Sequence, residues 1–178
     1  MKINILALGE TLNHFKEDGN ITIGVNDIHS RFKTDYVVCV DHPSVFDSKR
    51  FHSIASTRCK GFYSQVNDWR EVVKPFNLIE VNDGRGLLHE LDNDKFCYSN
   101  NSPYVACILA YKLGAKEIVL WGVDFNDHPH INGNSRDKAL NDYKELNKEF
   151  KKRGVKLVIG HKDSSLFNMI NGNHINTN

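Results

Sequence analysis

Two aspartates and two histidines crowd the eight residues after Gly122: Asp124, Asp127, His128 and His130 in "VDFNDHPH". An imidazole at the mouth of a crevice can take a proton from an attacking hydroxyl, which makes His130 and His128 candidate general bases. A His-x-His pair beside Asp124 and Asp127 could also hold a divalent metal, but that needs a third ligand the spacing does not supply. A solvated loop accounts for the same composition. Other apolar runs also end in polar groups: Gly9 with Thr11, Asn26 with Asp27, and Asp41 with His42. An asparagine at such a place can read a base or a sugar hydroxyl, and it is equally an ordinary turn residue. Thr11 suits a helix cap as well as a phosphate contact. Ser102, preceded by Asn101, opens a helix whose free amides and positive dipole end suit an anion, although capping alone would explain a serine there.

Several chemistries lack their signatures. "LGETLN" is not a G-x-G-x-x-G fingerprint, no Walker-type phosphate loop occurs, and no G-x-S-x-G elbow presents a nucleophilic serine. Ser164 and Ser165 read first as the capped start of a short helix. His14, His29, His52, His89, His161 and His174 have no partner that sequence specifies, so a structural or surface role is the default for each.

The elements that must position these groups alternate regularly. Residues 3–8 form an apolar strand closed by Gly9, and "ETLNHFKED" predicts a helix of a few turns ending near Gly19. "NITIGVND" and "TDYVVCVDHP" give two further strands, "RCKGFYS" a candidate strand, and "FNLIEV" another. Residues 82–101 turn polar and contain glycine, which predicts an irregular excursion. "SPYVACILAYKLG" starts a buried helix at Ser102 with Pro103 at its first position, and Gly114 stops it before the strand "EIVLW". "RDKALNDYKELNKEFKKRG" predicts an amphipathic helix, "VKLVIG" the last strand, and "DSSLFNMI" a short helix. Strands separated by helix-sized stretches predict an α/β, Rossmann-like three-layer sandwich with a mostly parallel central sheet. In such a fold the polar strand ends meet at one crevice.

Composition narrows the partners. The 178 residues are expected to form a single domain over 1–172, with a disordered Asn-rich tail over 173–178. The 23 basic and 22 acidic residues nearly cancel, so no bulk field gathers nucleic acid or an anionic membrane. The absence of a spanning run or signal peptide predicts a cytoplasmic protein, and Cys39, Cys59, Cys97 and Cys107 read as reduced, partly buried thiols.

"NSPYVACILAYKLGAKEIVLWGVDF" resembles the segment of bacterial lipooligosaccharide sialyltransferases in which a buried helix is followed by "LG-x-KEI-x-L" and "G-[IV]-D-F". "GVKLVIGHKDSSLFNMI" is similar to that family's terminal strand and "NSLL", and "LGETLNHF" to its opening "NGPSL". Maf-type flagellin glycosyltransferases and archaeal 6-hydroxymethylpterin diphosphokinases carry similar signatures. The resemblance implies metal-independent transfer of a sugar from a CMP-sugar donor to an acceptor hydroxyl, with no cofactor. It matches Gly9 and Thr11 to the donor-binding turn, Asn26 to the asparagine after the second strand, and Asn101 with Ser102 to the pair before the buried helix. His130, more than His128, falls where the family's base would lie. Leu8, Ser99 and Pro103 depart from the pattern, and the donor-covering lid is shortened to "NDHPHINGN".

The expected binding set is therefore Gly9, Thr11, Asn26, Asp27, Asp41, Asn101, Ser102 and Asp124, for a nucleotide or nucleotide-sugar partner. Two alternatives stand beside it. One is a Mg²⁺-dependent pyrophosphokinase of the pterin type with Asp124, Asp127 or Asp41 as ligands, and the other a non-catalytic nucleotide-binding module. A homo-oligomer is compatible with the sequence but not required by it.

Overall fold

The computed structural model describes residues 1–85, 88–126 and 133–172. The strands in chain order are β1 (Lys2–Leu6), β2 (Ile21–Val25), β3 (Tyr36–Val38), β4 (Gly61–Ser64), β5 (Phe76–Leu78), β6 (Val81–Arg85), β7 (Phe96–Tyr98), β8 (Glu117–Trp121) and β9 (Lys156–Ile159). Seven of them form one sheet in the order β5-β4-β3-β2-β1-β8-β9. Every pairing in it is parallel. The helices are α1 (Ser48–Ala55), α2 (Ser102–Lys112), α3 (Gly133–Lys152) and α4 (Phe167–Asn171). This is the expected three-layer α/β architecture.

Alternation along β1 explains the two layers. Ile3 and Ile5 face a core built with α2, α3 and α4, whereas Leu6 faces a second core holding Leu12, Ile54, Phe62 and Trp69. Helix α2 is apolar nearly all round and lies buried from Tyr104 to Ala110. Burying each large side chain there contributes about 1.5–3 kcal/mol, which holds α2 rigidly over the sheet. Asn4 is the polar exception, fully buried in mid-strand. It donates to Asp18 (2.9 Å) and accepts from the Trp121 indole (3.2 Å), so neither end of its amide is orphaned.

At the far edge, β9 is closed by a side chain. Asn171 of α4 accepts from the Ile159 amide (3.0 Å) and donates to the Ile159 carbonyl (2.9 Å), imitating a neighbouring strand.

Some elements depart from expectation. The helix predicted over "ETLNHFKED" is only the 3₁₀ turn Glu10–His14, after which Phe15 is extended. Leu12 bonds back to Gly9, three residues earlier, and Leu12 and Phe15 are the only buried apolar anchors before the charged run begins. "FNLIEV" is two strands: Ile79 still bonds to Ser64, but Glu80 accepts from Phe96 and starts a second sheet. That parallel pair, β6 with β7, occupies the stretch read as irregular. Helix α3 begins three residues before Arg136, and α4 begins at Phe167 without a serine cap. Among the described residues no helix is long and apolar enough to cross a membrane.

Candidate functional site

All seven strands of the main sheet run the same way, so their carboxyl ends share one edge. The chain fills β1 to β5 in one direction, then returns to place β8 and β9 on the other side of β1. Strand order therefore reverses between β1 and β8, where a parallel sheet opens its ligand crevice. Gly9, Thr11, Asn26, Asp27, Asp41 and Asp124 all follow carboxyl ends on this edge, and the start of α2 is bonded to it.

At the reversal, pairing continues past the strands. Gly9 donates to the Gly122 carbonyl (2.9 Å), and Gly122 adopts a left-handed conformation with φ 71°. A Cβ on Gly9 would lie 2.5 Å from Asp124 Oδ2 and 2.6 Å from Gly122 O, so glycine is required by close approach. The buried Asp124 carboxylate is fully engaged: Oδ2 accepts from the Thr11 amide (2.9 Å) and Oδ1 from the Thr11 hydroxyl. Thr11 Oγ1 in turn accepts from the Gly122 amide (3.0 Å). The carboxylate holds the opening turn against the end of β8. Ser164 and Ser165, read as a helix cap, also brace this end: Ser164 Oγ accepts from the Leu166 amide (3.2 Å) at the entry of α4 and donates to Val123 O (2.8 Å), and the Ser165 amide donates to Asp124 O (3.1 Å).

One strand over, Asn26 sits at φ 51°, a left-handed conformation that asparagine tolerates better than most residues. Its Oδ1 accepts from Ser102 Oγ (3.0 Å), which also accepts from the Val40 amide (3.2 Å). Ser102 thus joins the ends of β2 and β3 to α2. It is free to do so because Asn101, not Ser102, caps the helix, with Oδ1 accepting from the Tyr104 amide (3.1 Å). The same oxygen accepts from the buried Tyr143 hydroxyl (2.8 Å), whose burial pushes its pKa well up. With the Tyr104 amide taken and Pro103 lacking one, α2 offers an anion its dipole more than a row of free amides.

Asp27 and Asp41 form the outer part. Arg50 on α1 donates to Asp27 Oδ1 from Nε (3.0 Å) and from a terminal nitrogen (2.7 Å), with Phe46 beneath the guanidinium at 4.9 Å. Burial raises the Asp41 carboxyl above its ordinary value, and the Arg50 charge only partly offsets it. His42, the next residue, has both ring nitrogens engaged, Nδ1 by Ser44 and Nε2 by Asp68 (3.0 Å). His128, His130 and Asp127 lie outside the described residues, as does the tail.

Arg50 and Tyr143 escaped the sequence reading. The sequence predicts no helix around Arg50, and Tyr143 reads as one of the apolar residues of the amphipathic helix; only the tertiary fold brings them to the edge. An open depression lined by Asp92, Asn93, Tyr111 and Lys112 sits at the opposite end of α2. Its polar groups satisfy one another, with Lys112 donating to the Asn93 and Leu91 carbonyls and Tyr111 to Asp92, so it is not the candidate site.

The architecture matches solved enzymes. The sialyltransferase CstII from Campylobacter jejuni, solved with the substrate analogue CMP-3FNeuAc, superposes with a TM-score of 0.59 at 16% identity, covering 95% of this chain and 84% of that one. This is a sialyltransferase-like fold. CST-II with a trisaccharide acceptor and CMP gives 0.56 at 17% identity, over 96% of this chain and 85% of the other. The monofunctional α-2,3-sialyltransferase Cst-I from Campylobacter jejuni gives 0.54 at 16% identity, over 93% and 77%. No protein-family model and no curated protein matches the chain.

Proposed function

We propose that the chain is a glycosyltransferase of the sialyltransferase type, binding a CMP-sugar donor along the carboxyl edge and transferring the sugar to an acceptor hydroxyl without a metal. The observation that carries this reading is the junction of Asn26 with Ser102. It unites the ends of β2 and β3 with the positive end of α2 at the crevice of a fold whose solved members include CMP complexes.

In this mechanism the donor phosphate lies at the start of α2, near Ser102, while Asn26 and Asp27 read the nucleoside. His130 takes the proton of the acceptor hydroxyl as its oxygen attacks the anomeric carbon, and CMP departs with the bonding pair. The α2 dipole stabilises the charge that develops on the departing nucleotide. His128 is the second candidate for the base. The Gly9–Thr11 turn, clamped by Asp124, forms a fixed wall beside the donor.

The test is CMP release from CMP-sialic acid, with and without acceptor sugars. Turnover that persists in chelator and is lost in His130→Ala supports the proposal. Thermal stabilisation by CMP without turnover points instead to a binding module, and strict dependence on Mg²⁺ points to pyrophosphoryl transfer. For that last chemistry, Asp124 is poorly placed as a metal ligand, because Thr11 engages both of its oxygens.

A further inference from the structure

His14 and His161 stand 147 positions apart in the chain, yet their rings stack face to face with centroids 3.6 Å apart and planes within 2°. Asp163 completes a cluster in which one ligand atom from each residue lies within 4.8 Å of the other two. The topology explains the meeting. β1 and β9 flank β8, so the segments that follow them both lie beside Trp121, the last residue of β8.

That indole is the platform. Phe15 packs on it with centroids 5.7 Å apart. Gly160 lies flat against it, for a Cβ there would fall 2.5 Å from the ring. His14 and His161 are the chain neighbours of these two anchors, so their backbones are fixed while their rings project outward. The loop behind them is held too, by Asn126 donating to Asp163 O (2.8 Å) and by the Ser164 amide bonded to His161 O (3.3 Å). The 3₁₀ turn bearing His14 packs in the core opposite α2, so the cluster is separate from the Asn26–Ser102 junction.

We propose that His14, His161 and Asp163 form a site for a divalent transition ion of the zinc type. Two imidazoles and one carboxylate suit Zn²⁺ or Co²⁺, whereas Mg²⁺ and Ca²⁺ prefer an all-oxygen shell. Ligand atoms bound at about 2.0–2.2 Å stand roughly 3–3.5 Å from one another, so the cluster closes by side-chain rotation that draws its atoms together and turns the His14 ring out of the stack, because parallel rings cannot both aim a nitrogen lone pair at one ion. His14 is exposed, and the Asp163 side chain is 64% exposed, which leaves both free to rotate. Three protein donors leave a coordination position open to water or to a ligand group. The ion would tie the opening turn to the end of β9, and it takes no part in the sugar transfer proposed above.

The experiment uses the full chain, stripped with chelator and titrated with Zn²⁺, Co²⁺ and Mg²⁺ by calorimetry and thermal denaturation. One Zn²⁺ per chain is expected, with a rise of about 5–10 °C in Tm at a hundredfold excess over Kd. Co²⁺ should also quench the fluorescence of the adjacent Trp121. His14→Ala and His161→Ala should each weaken binding by about 100-fold or more, Asp163→Asn by about tenfold or more. The metal-free Tm of each variant reports whether it still folds. Binding that survives both histidine substitutions, or no Zn²⁺ binding by the folded chain, overturns the proposal. Equal response to Mg²⁺ overturns it as well. None of these outcomes bears on CMP release, so the two proposals stand or fall separately.

Discussion

Replacing Thr11 by valine keeps the shape of the side chain and removes one oxygen. That oxygen donates to Asp124 Oδ1 and accepts from the Gly122 amide, and all of these groups are out of water. Loss of a donor to a buried carboxylate costs about 1.5–3 kcal/mol, and an orphaned amide about 1–3 kcal/mol. The two losses overlap, because the turn relaxes once for both, so about 3 kcal/mol is the working figure. For a chain of this size that lowers Tm by about 6–12 °C. Urea denaturation followed by circular dichroism should show a lower midpoint with an unchanged slope, and Thr11→Ser should stay within about 1 kcal/mol of the parent. If Thr11 instead served chiefly as a phosphate contact, valine would leave the midpoint alone and weaken CMP binding. A shift below about 1 kcal/mol therefore refutes the clamp.

Asn26→Gly keeps φ 51° but takes the acceptor from the buried Ser102 hydroxyl, so it should cost about 1–3 kcal/mol while CMP affinity falls about tenfold; Asn26→Ala adds a backbone penalty of about 1–2 kcal/mol, and denaturation melts with and without CMP separate the two effects. The Asp41 carboxyl, raised by burial, keeps its proton longer in the folded chain than in the unfolded one. Stability is therefore lost as pH rises from 3.8 through the raised value, and Asp41→Asn should increase Tm at pH 7 but not below about pH 3.5. Burial pushes all four thiols up, and Cys39, Cys97 and Cys107 are also closed off from solvent, so a thiol reagent should label at most the half-buried Cys59 in the native chain, and all four cysteines in denaturant.

The strands were readable because parallel strands buried on both faces are near-continuous apolar runs, and β1, β2, β3 and β8 each follow one. The carboxyl-edge placement of Gly9, Asn26, Asp41 and Asp124 was readable for the same reason, since a parallel sheet puts every strand end on one side. The internal logic of that edge was not. Nothing local to Ser102 distinguishes a helix cap from a tie between β2, β3 and α2; the answer lies in Asn101 taking the cap. Nothing local to Asp124 tells that its carboxylate is spent on Thr11, because the two are 113 residues apart. The short segments failed differently. Glu10–His14 has helical propensity but only two apolar anchors, so tertiary bonds to Asp124 and the burial of Phe15 end it after one turn.

The amide of Asn171 that imitates a strand beside β9 also governs how readily the rim of the sheet recruits a second molecule. Whenever α4 frays from the sheet, the Ile159 backbone loses both partners and the outer rim of β9 opens to pairing with another chain, a hazard that ends each time α4 docks again. Asn171→Ala would leave that opening in place in the mature molecule.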